Sequence, residues 1–289
     1  MGGTLFVVAT PIGNLGDISS RAAETLRNAD IIAAEDTRTS GVLLDRLGIG
    51  RQKLRAYHKF NEETGSDGLV AELASGKDVA LITDAGTPCV SDPGSILVRK
   101  AVSAGIHATA VPGASAVAAA ISVSGFNAVA FAFYGFLPRR DRETAEVLRR
   151  INSEYARVAV FYESPKRIEA SLELICRELP GAEICLCNDL TKKFERIYRG
   201  PAEDVLSELR ENPDSGKGEY AIVINLGPDK PSSGETDGAG VSPEAGILEL
   251  VLNGASVREA SDRLIAQGKY PKNDIKRAAI RVKERFELD

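Results

Sequence analysis

Four short apolar runs in the first third of the chain, each followed by a loop and a helical pattern, constrain its fold more than any other feature. They are Leu5 to Ala9, Ala29 to Ala34, Asp78 to Thr83 and His107 to Val111. Each has strand length and is nearly continuous in apolar residues, the texture of a strand covered on both faces. Helical patterns fill the intervals at Ile18 to Asn28, Asp36 to Leu47, Gly68 to Ser75, Pro93 to Ala104 and Ala116 to Ser124, with a further short strand at Leu54 to Tyr57. Strand and helix in alternation predict an α/β fold with a parallel sheet, because parallel neighbours need a crossover between them.

Three of these strands run into loops of small residues: Thr10-Pro11-Ile12-Gly13-Asn14, Asp84-Ala85-Gly86-Thr87-Pro88 and Pro112-Gly113-Ala114-Ser115. Loops with so little side-chain bulk let the backbone bend sharply and let a ligand approach it closely. In open parallel sheets ligands collect beyond the carboxyl ends of the strands, so three such loops on one edge predict a site. A phosphate cradle is not the expected form. No G-x-G-x-x-G follows Ala9, and Gly76-Lys77 continues into Asp78 with no upstream glycine at P-loop spacing. A ligand with an adenosine end and an amino-acid end suits backbone groups in small-residue loops better.

The second half changes texture. Strands are expected at Ala130 to Phe133, Arg157 to Tyr162, Glu183 to Asp189, Glu195 to Arg199 and Glu219 to Asn225, with helices at Asp141 to Ile151, Ser164 to Glu178 and Ala202 to Glu211, as in a mixed α/β domain. Gly227 to Gly240 is Gly, Pro, Ser and acid with almost nothing to bury, the composition of a flexible linker. Helical patterns resume at Pro243 to Asn253, Ser256 to Gln267 and Lys272 to Leu288, and Ser256 precedes Glu259 at capping-box spacing. The expected division is an α/β domain over 1–118, a second over 119–227, a linker over 228–242 and a helical module over 243–289.

A formal charge of −5 over 289 residues argues against a protein that coats nucleic acid with its whole surface. A local patch remains: between Arg258 and Arg285 nine basic residues face four acidic ones. No run approaches the roughly 20 apolar residues of a membrane helix, and Met1-Gly2-Gly3-Thr4 leads directly into the first strand, so no membrane association and a cytoplasmic location are expected. Cys89, Cys176, Cys185 and Cys187 lack the paired spacing of a zinc site and read as reduced thiols, with Cys185 and Cys187 expected on opposite faces of one strand. With His58 and His107 as the only histidines, no metal centre is expected.

Read together, Thr10 to Asp17, Ala34 to Arg38, Thr83 to Pro88, Ser91 to Gly94, Val111 to Ser115 and Phe161-Tyr162-Glu163-Ser164-Pro165-Lys166-Arg167 resemble the bacterial 16S rRNA cytidine 2′-O-methyltransferases, within the tetrapyrrole methylases that use S-adenosylmethionine. The resemblance runs from about Leu5 to Leu226. It implies two α/β domains with the cofactor, S-adenosylmethionine, in the cleft between them, a homodimer, and as partner the 16S rRNA of the assembled small ribosomal subunit, methylated on the ribose of cytidine-1402. It also implies that Asp84, Ala85, Gly86, Thr87, Pro112, Gly113 and Ser115 contact the cofactor, that Pro11 borders the cleft, and that Tyr162, Tyr220 and Ile222 lie near adenine.

Asp36, Arg38 and Glu163 are the candidate catalytic residues. Asp36 or Glu163 would assist removal of the hydroxyl proton, and Arg38 would organise the RNA side. Asp17 and Glu35 are further acceptors, and Lys166, Arg167, Lys192 and Lys193 further cations. Plain structural roles stand beside these: Asp36 and Asp17 as helix caps, Ser164 as N-cap with Pro165 at the first helical position, and the basic pairs as solvated charges. Tyr134, Phe136 and Phe161 are candidate stacking partners for a displaced base. Two other functions remain open, methylation of a tetrapyrrole precursor and a non-catalytic role in ribosome assembly.

Overall fold

The computed structural model describes residues 2–50, 53–152, 156–227, 242–268 and 270–286. The first strands are β1 (Thr4–Val8), β2 (Ile31–Ala34), β3 (Leu54–Ala56), β4 (Val79–Ile82) and β5 (His107–Val111). They form one sheet in the order β3-β2-β4-β1-β5, parallel throughout. The helices between and after them are α1 (Ser20–Asn28), α2 (Thr37–Arg46), α3 (Glu62–Ala74), α4 (Ser95–Ser103) and α5 (Ala116–Ser124). Alternation within β4 shows why both faces are apolar. Val79 and Leu81 pack with Leu69, Leu73 and Leu97 of α3 and α4, while Ala80 and Ile82 pack with Ala22, Leu26 and Leu44 of α1 and α2.

A second sheet holds β6 (Phe131–Phe136), β7 (Val158–Glu163), β8 (Glu183–Asn188), β9 (Arg196–Pro201) and β10 (Tyr220–Asn225), ordered β6-β7-β10-β8-β9. β6 and β7 are parallel and the other pairs antiparallel, so this is the mixed domain the texture suggests. The helices α6 (Asp141–Ile151), α7 (Ile168–Glu178) and α8 (Ala202–Glu211) cover one face. The other face, with Val158, Val160, Cys185, Cys187, Ala221 and Val223, packs on Val117 and Ala120 of α5 and on Ile12 from the first loop. A helix that follows the first sheet thus seats the second.

Several local expectations are corrected. Cys185 and Cys187 share a face, with sulfurs 3.8 Å apart, because residues two apart on a strand point the same way. α1 begins at Ser20 under a Ser19 cap, and Asp17 ends a short 3-10 turn capped by Asn14. α3 begins at Glu62 rather than Gly68, since its first turns are polar and carry no apolar stripe. α7 begins at Ile168, so Ser164 and Pro165 lie in a turn that precedes the helix.

By contact the chain divides into two compact units, Met1–Pro228, which contains both sheets, and Asp229–Asp289. The second unit is built from α9 (Pro243–Leu252), α10 (Val257–Gln267) and α11 (Lys272–Phe286) around Ile247, Val257, Ala260, Leu264, Ile275, Ala278 and Val282. Ser256 and Glu259 form the expected capping box on α10. The expected linker lies almost wholly outside the described residues. Among the described residues no helix is long and apolar enough to cross a membrane.

Candidate active site

The first loop and the loop after β4 are tied to each other. Thr10 and Gly86 exchange backbone hydrogen bonds of 2.9 and 3.1 Å, and the Thr10 hydroxyl donates to the Thr83 carbonyl at 3.1 Å. Pro11 and Gly13 therefore serve a turn that must reach across the sheet edge at once, and Gly86 meets it with φ at +85°. The Thr87 hydroxyl donates to the Ala114 carbonyl at 3.1 Å, which joins the third loop to the second. Beyond these loops lies a cavity of about 430 Å³. Its floor comes from Asp84, Ala85, Gly86, Thr87 and Ser115, and its far wall from Tyr162, Cys187, Tyr220 and Ala221 of the second sheet.

The lining is acidic. Glu35, Asp84, Asp92, Glu163 and Glu219 contribute to it, and among the described residues no arginine, lysine or histidine does. Burial, then the charges of Glu35 and Asp84, push the Asp92 carboxyl up to about 6. Burial likewise raises Asp84, and burial with the charge of Asp92 pushes the Tyr162 phenol up to about 12. The Thr83 hydroxyl donates to Glu35 Oε2 at 2.7 Å.

Asp84, Ala85, Gly86, Thr87, Ser115, Tyr162, Glu163 and Tyr220 are brought together at this cavity. Pro11, Pro112 and Gly113 are not among the lining residues; a side chain at Gly113 would press on Ala9 Cβ at 3.0 Å, so the close approach there is to the residue that follows β1. The Ile222 side chain does not line the cavity. It is fully buried in the core beneath α6 to α8, because strand alternation gives the cavity face to its neighbour Ala221.

The three catalytic candidates part company. Asp36 caps α2, accepts the Arg38 backbone N–H at 2.8 Å, and pairs with the Arg38 guanidinium at 2.6 Å. That hydrogen bond to the guanidinium holds its carboxyl down at about 2, which makes it a poor proton acceptor. Its own N–H donates to Asp84 Oδ1 at 3.1 Å, so it positions a lining residue. The Arg38 side chain is 89% exposed at the edge of this network. Glu163 touches the cavity, but its carboxylate is wholly buried. Ser164 N–H and Ser171 Oγ each donate to it at 2.7 Å, and Arg167 lies 3.4 Å away. The side chain expected to take a proton is thus closed off by three donors.

Residues 4–206 match the family of tetrapyrrole (corrin/porphyrin) methylases. This chain belongs to that family. Within it, the chain is 40% identical to the Ribosomal RNA small subunit methyltransferase I of Haemophilus influenzae over 94% of each protein. It is 37% identical to the protein of the same name from Halalkalibacterium halodurans, over 94% of this chain and 93% of that one. In fold it resembles the crystal structure of diphthine synthase, with a TM-score of 0.58 and 17% identity over 77% of this chain and 89% of that one.

Family motifs draw attention to Ser91-Asp92-Pro93-Gly94, yet Asp92 is not among the expected site residues. In the tetrapyrrole methylase fold of this chain it enters the cavity because the loop from Asp84 to Gly94 turns back on itself. Cys89 and Ser91 adopt φ of +68° and +71°, the left-handed region that non-glycine residues rarely occupy. An Asp-Pro pair after a small-residue loop is the one local signal, and alone it means a turn.

Proposed function

We propose that this protein transfers a methyl group from S-adenosylmethionine to the ribose 2′-hydroxyl of a cytidine in small-subunit ribosomal RNA, at the position corresponding to cytidine-1402 of 16S rRNA. The observation that carries this reading is the acidic cavity, without a basic lining residue among the described residues, set where three loops end the strands of a parallel sheet. Such a lining attracts a ligand that bears positive charge and repels phosphate. S-adenosylmethionine fits it, with a sulfonium and an ammonium for the carboxylates and apolar wall at Ile12, Ala116, Leu190 and Ala221 for its adenine. A tetrapyrrole precursor edged with carboxylates fits it poorly.

When bound, S-adenosylmethionine supplies an activated methyl whose carbon accepts an oxygen nucleophile while the sulfur keeps the bonding pair. The chain supplies position and proton removal. Asp84 and the backbone of Ala85 to Thr87 hold the ligand from the first sheet, and Tyr162 and Ala221 hold it from the second. RNA phosphates stay outside, where Arg38 is exposed and Lys166 follows the lining residue Pro165. Of the three aromatic candidates, Tyr134 stacks on the buried Phe161 at 5.1 Å and both belong to the core. Phe136 is 60% exposed, lines the cavity and meets Tyr162 edge to face, and is therefore the platform for a displaced base. The homodimer and cytoplasmic site of action belong to the same reading.

The test is incubation of the purified protein with labelled S-adenosylmethionine and, separately, small ribosomal subunits, naked 16S rRNA or a corrinoid precursor, with the label mapped by nuclease digestion and mass spectrometry. Label on one cytidine ribose of the subunit is the expected result. Label on the tetrapyrrole, or none while the subunit still binds, overturns the reading.

A further inference from the structure

Residues 189–195 turn the chain from β8 into β9, and their neighbours fix that turn from two sides. The Asp189 N–H donates to the Glu219 carbonyl at 2.9 Å, and Lys192 Nζ donates to Asp189 Oδ1 at 2.7 Å and Glu219 Oε2 at 2.9 Å. From the first loop the Asn14 N–H donates to Thr191 Oγ1 at 3.2 Å, and Gly13 lies so close that a Cβ there would come within 2.4 Å of Lys192 Cγ. Within the turn the Thr191 N–H donates to Glu195 Oε2 at 2.6 Å, and the Glu195 N–H donates to the Lys192 carbonyl at 3.1 Å. Asp189 and Thr191 take φ of +52° and +66°. For a β-branched threonine that conformation is rare and persists only where its surroundings impose it.

The turn presents different groups to the cavity and to solvent. Leu190 is buried at the cavity wall, whereas Phe194 is 72% exposed. Lys192 is held by its two carboxylates, while Lys193 is exposed and lies over the Phe194 ring, with Nζ 5.4 Å from the centroid. A ring left in water contributes little to folding, and a backbone already fixed has little ordering left to lose when the ring is covered. We propose that Phe194 stacks on an unpaired base of the substrate RNA next to the methylated nucleotide, with Lys193 against the adjoining phosphate. The inference rests on the RNA methyltransferase reading above and assigns that reaction a substrate contact outside the cavity.

An exposed aromatic ring beside a cation is the pairing that single-stranded RNA fits, because any base stacks on the ring and the cation meets the backbone. The acidic lining repels phosphate, so backbone contacts belong outside it, where Lys193 stands. The carboxylate nearest in sequence, Glu195, is tied back to the Thr191 N–H. Phe194 and the cavity-lining Phe136 serve different nucleotides. Phe136 ends β6 at one edge of the second sheet, and β8 and β9 form the opposite edge, with β7 and β10 between them.

The experiment measures binding to unmethylated small subunits and single-turnover methylation for wild type, Phe194→Ala, Phe194→Leu, Phe194→Trp and Lys193→Ala, with calorimetric binding of S-adenosylmethionine beside them. Phe194→Ala is expected to weaken subunit binding about tenfold, with the rate at saturating subunit and the cofactor affinity kept within about twofold. Phe194→Leu keeps apolar bulk without a π face and should behave like the alanine variant, while Phe194→Trp should bind as wild type does. Lys193→Ala is expected to weaken binding about threefold and to reduce the slope of its salt dependence by about one. A photoreactive benzophenone side chain in place of Phe194 should crosslink to the 16S rRNA beside the methylated cytidine. Wild-type binding by Phe194→Ala, full recovery by Phe194→Leu, or a crosslink confined to a ribosomal protein overturns the inference alone. A wild type that binds the cofactor but methylates no subunit overturns the functional reading and the inference with it.

Discussion

The Ser171 hydroxyl donates to Glu163 Oε2 at 2.7 Å, inside the second sheet's helical layer and with the carboxylate wholly out of solvent. Removing a charge that three donors surround leaves them unpaired. Glu163→Ala is therefore expected to lower unfolding stability by about 3 kcal/mol, with Glu163→Gln losing less because an amide oxygen still accepts. Denaturant titration measures this. An Ala variant of full stability whose only defect is the methylation rate would return Glu163 to the catalytic role read from sequence.

Gly86 carries φ +85°, and a Cβ there would lie 3.3 Å from Ile12 Cγ2. Gly86→Ala is expected to cost roughly 1–2 kcal/mol of backbone strain and to shift the loop that carries Asp84 to Thr87. Calorimetry should report cofactor affinity about tenfold weaker, as expected for ~1.4 kcal/mol. Unchanged affinity would separate that loop from the binding site.

Asp92 also predicts a stability that depends on pH. Its carboxyl is raised in the fold to about 6, so the folded state holds the proton more tightly than the unfolded chain. The associated stability is full below the unfolded value near pH 4 and is lost as pH rises through 6. Asp92→Asn should thus match wild type at pH 4 and exceed it by roughly 1 kcal/mol at pH 8, a figure reduced for solvent screening. Denaturant melts at the two pH values decide it, and an equal effect at both would remove the perturbed carboxylate.

The helical unit from α9 to α11 has its own core, and between Arg258 and Arg285 nine basic residues stand against four acidic ones. Truncation after residue 241 is expected to leave cofactor affinity unchanged, since the cavity is lined entirely from the first unit. Affinity for the small subunit should fall about tenfold or more, with a shallower dependence on salt as phosphate contacts are lost. Filter binding at several salt concentrations tests it, and undiminished affinity would leave the module without a part in RNA recognition.

Much of this is legible in the sequence. The apolar runs at Leu5, Ala29, Asp78 and His107 specified buried parallel strands, because nothing but a doubly covered sheet hides such runs. Their small-residue loops pointed to the edge where the cavity lies. Side-chain direction was not legible, nor were the contacts, such as Thr83 with Glu35, that join groups far apart in the chain. Ile222 was separated from Ala221 only by which face of β10 meets α5. Asp36 and Asp92 are both aspartates at loop ends, yet the neighbouring Arg38 guanidinium holds one carboxyl near 2, while burial, then the charges of Glu35 after β2 and of Asp84 on the same loop, push the other up to about 6. Local sequence determined the elements and the binding edge through propensity and periodicity. The tertiary structure decided which carboxyl is raised, because the burial of Asp92 and its approach to Glu35 exist only in the fold.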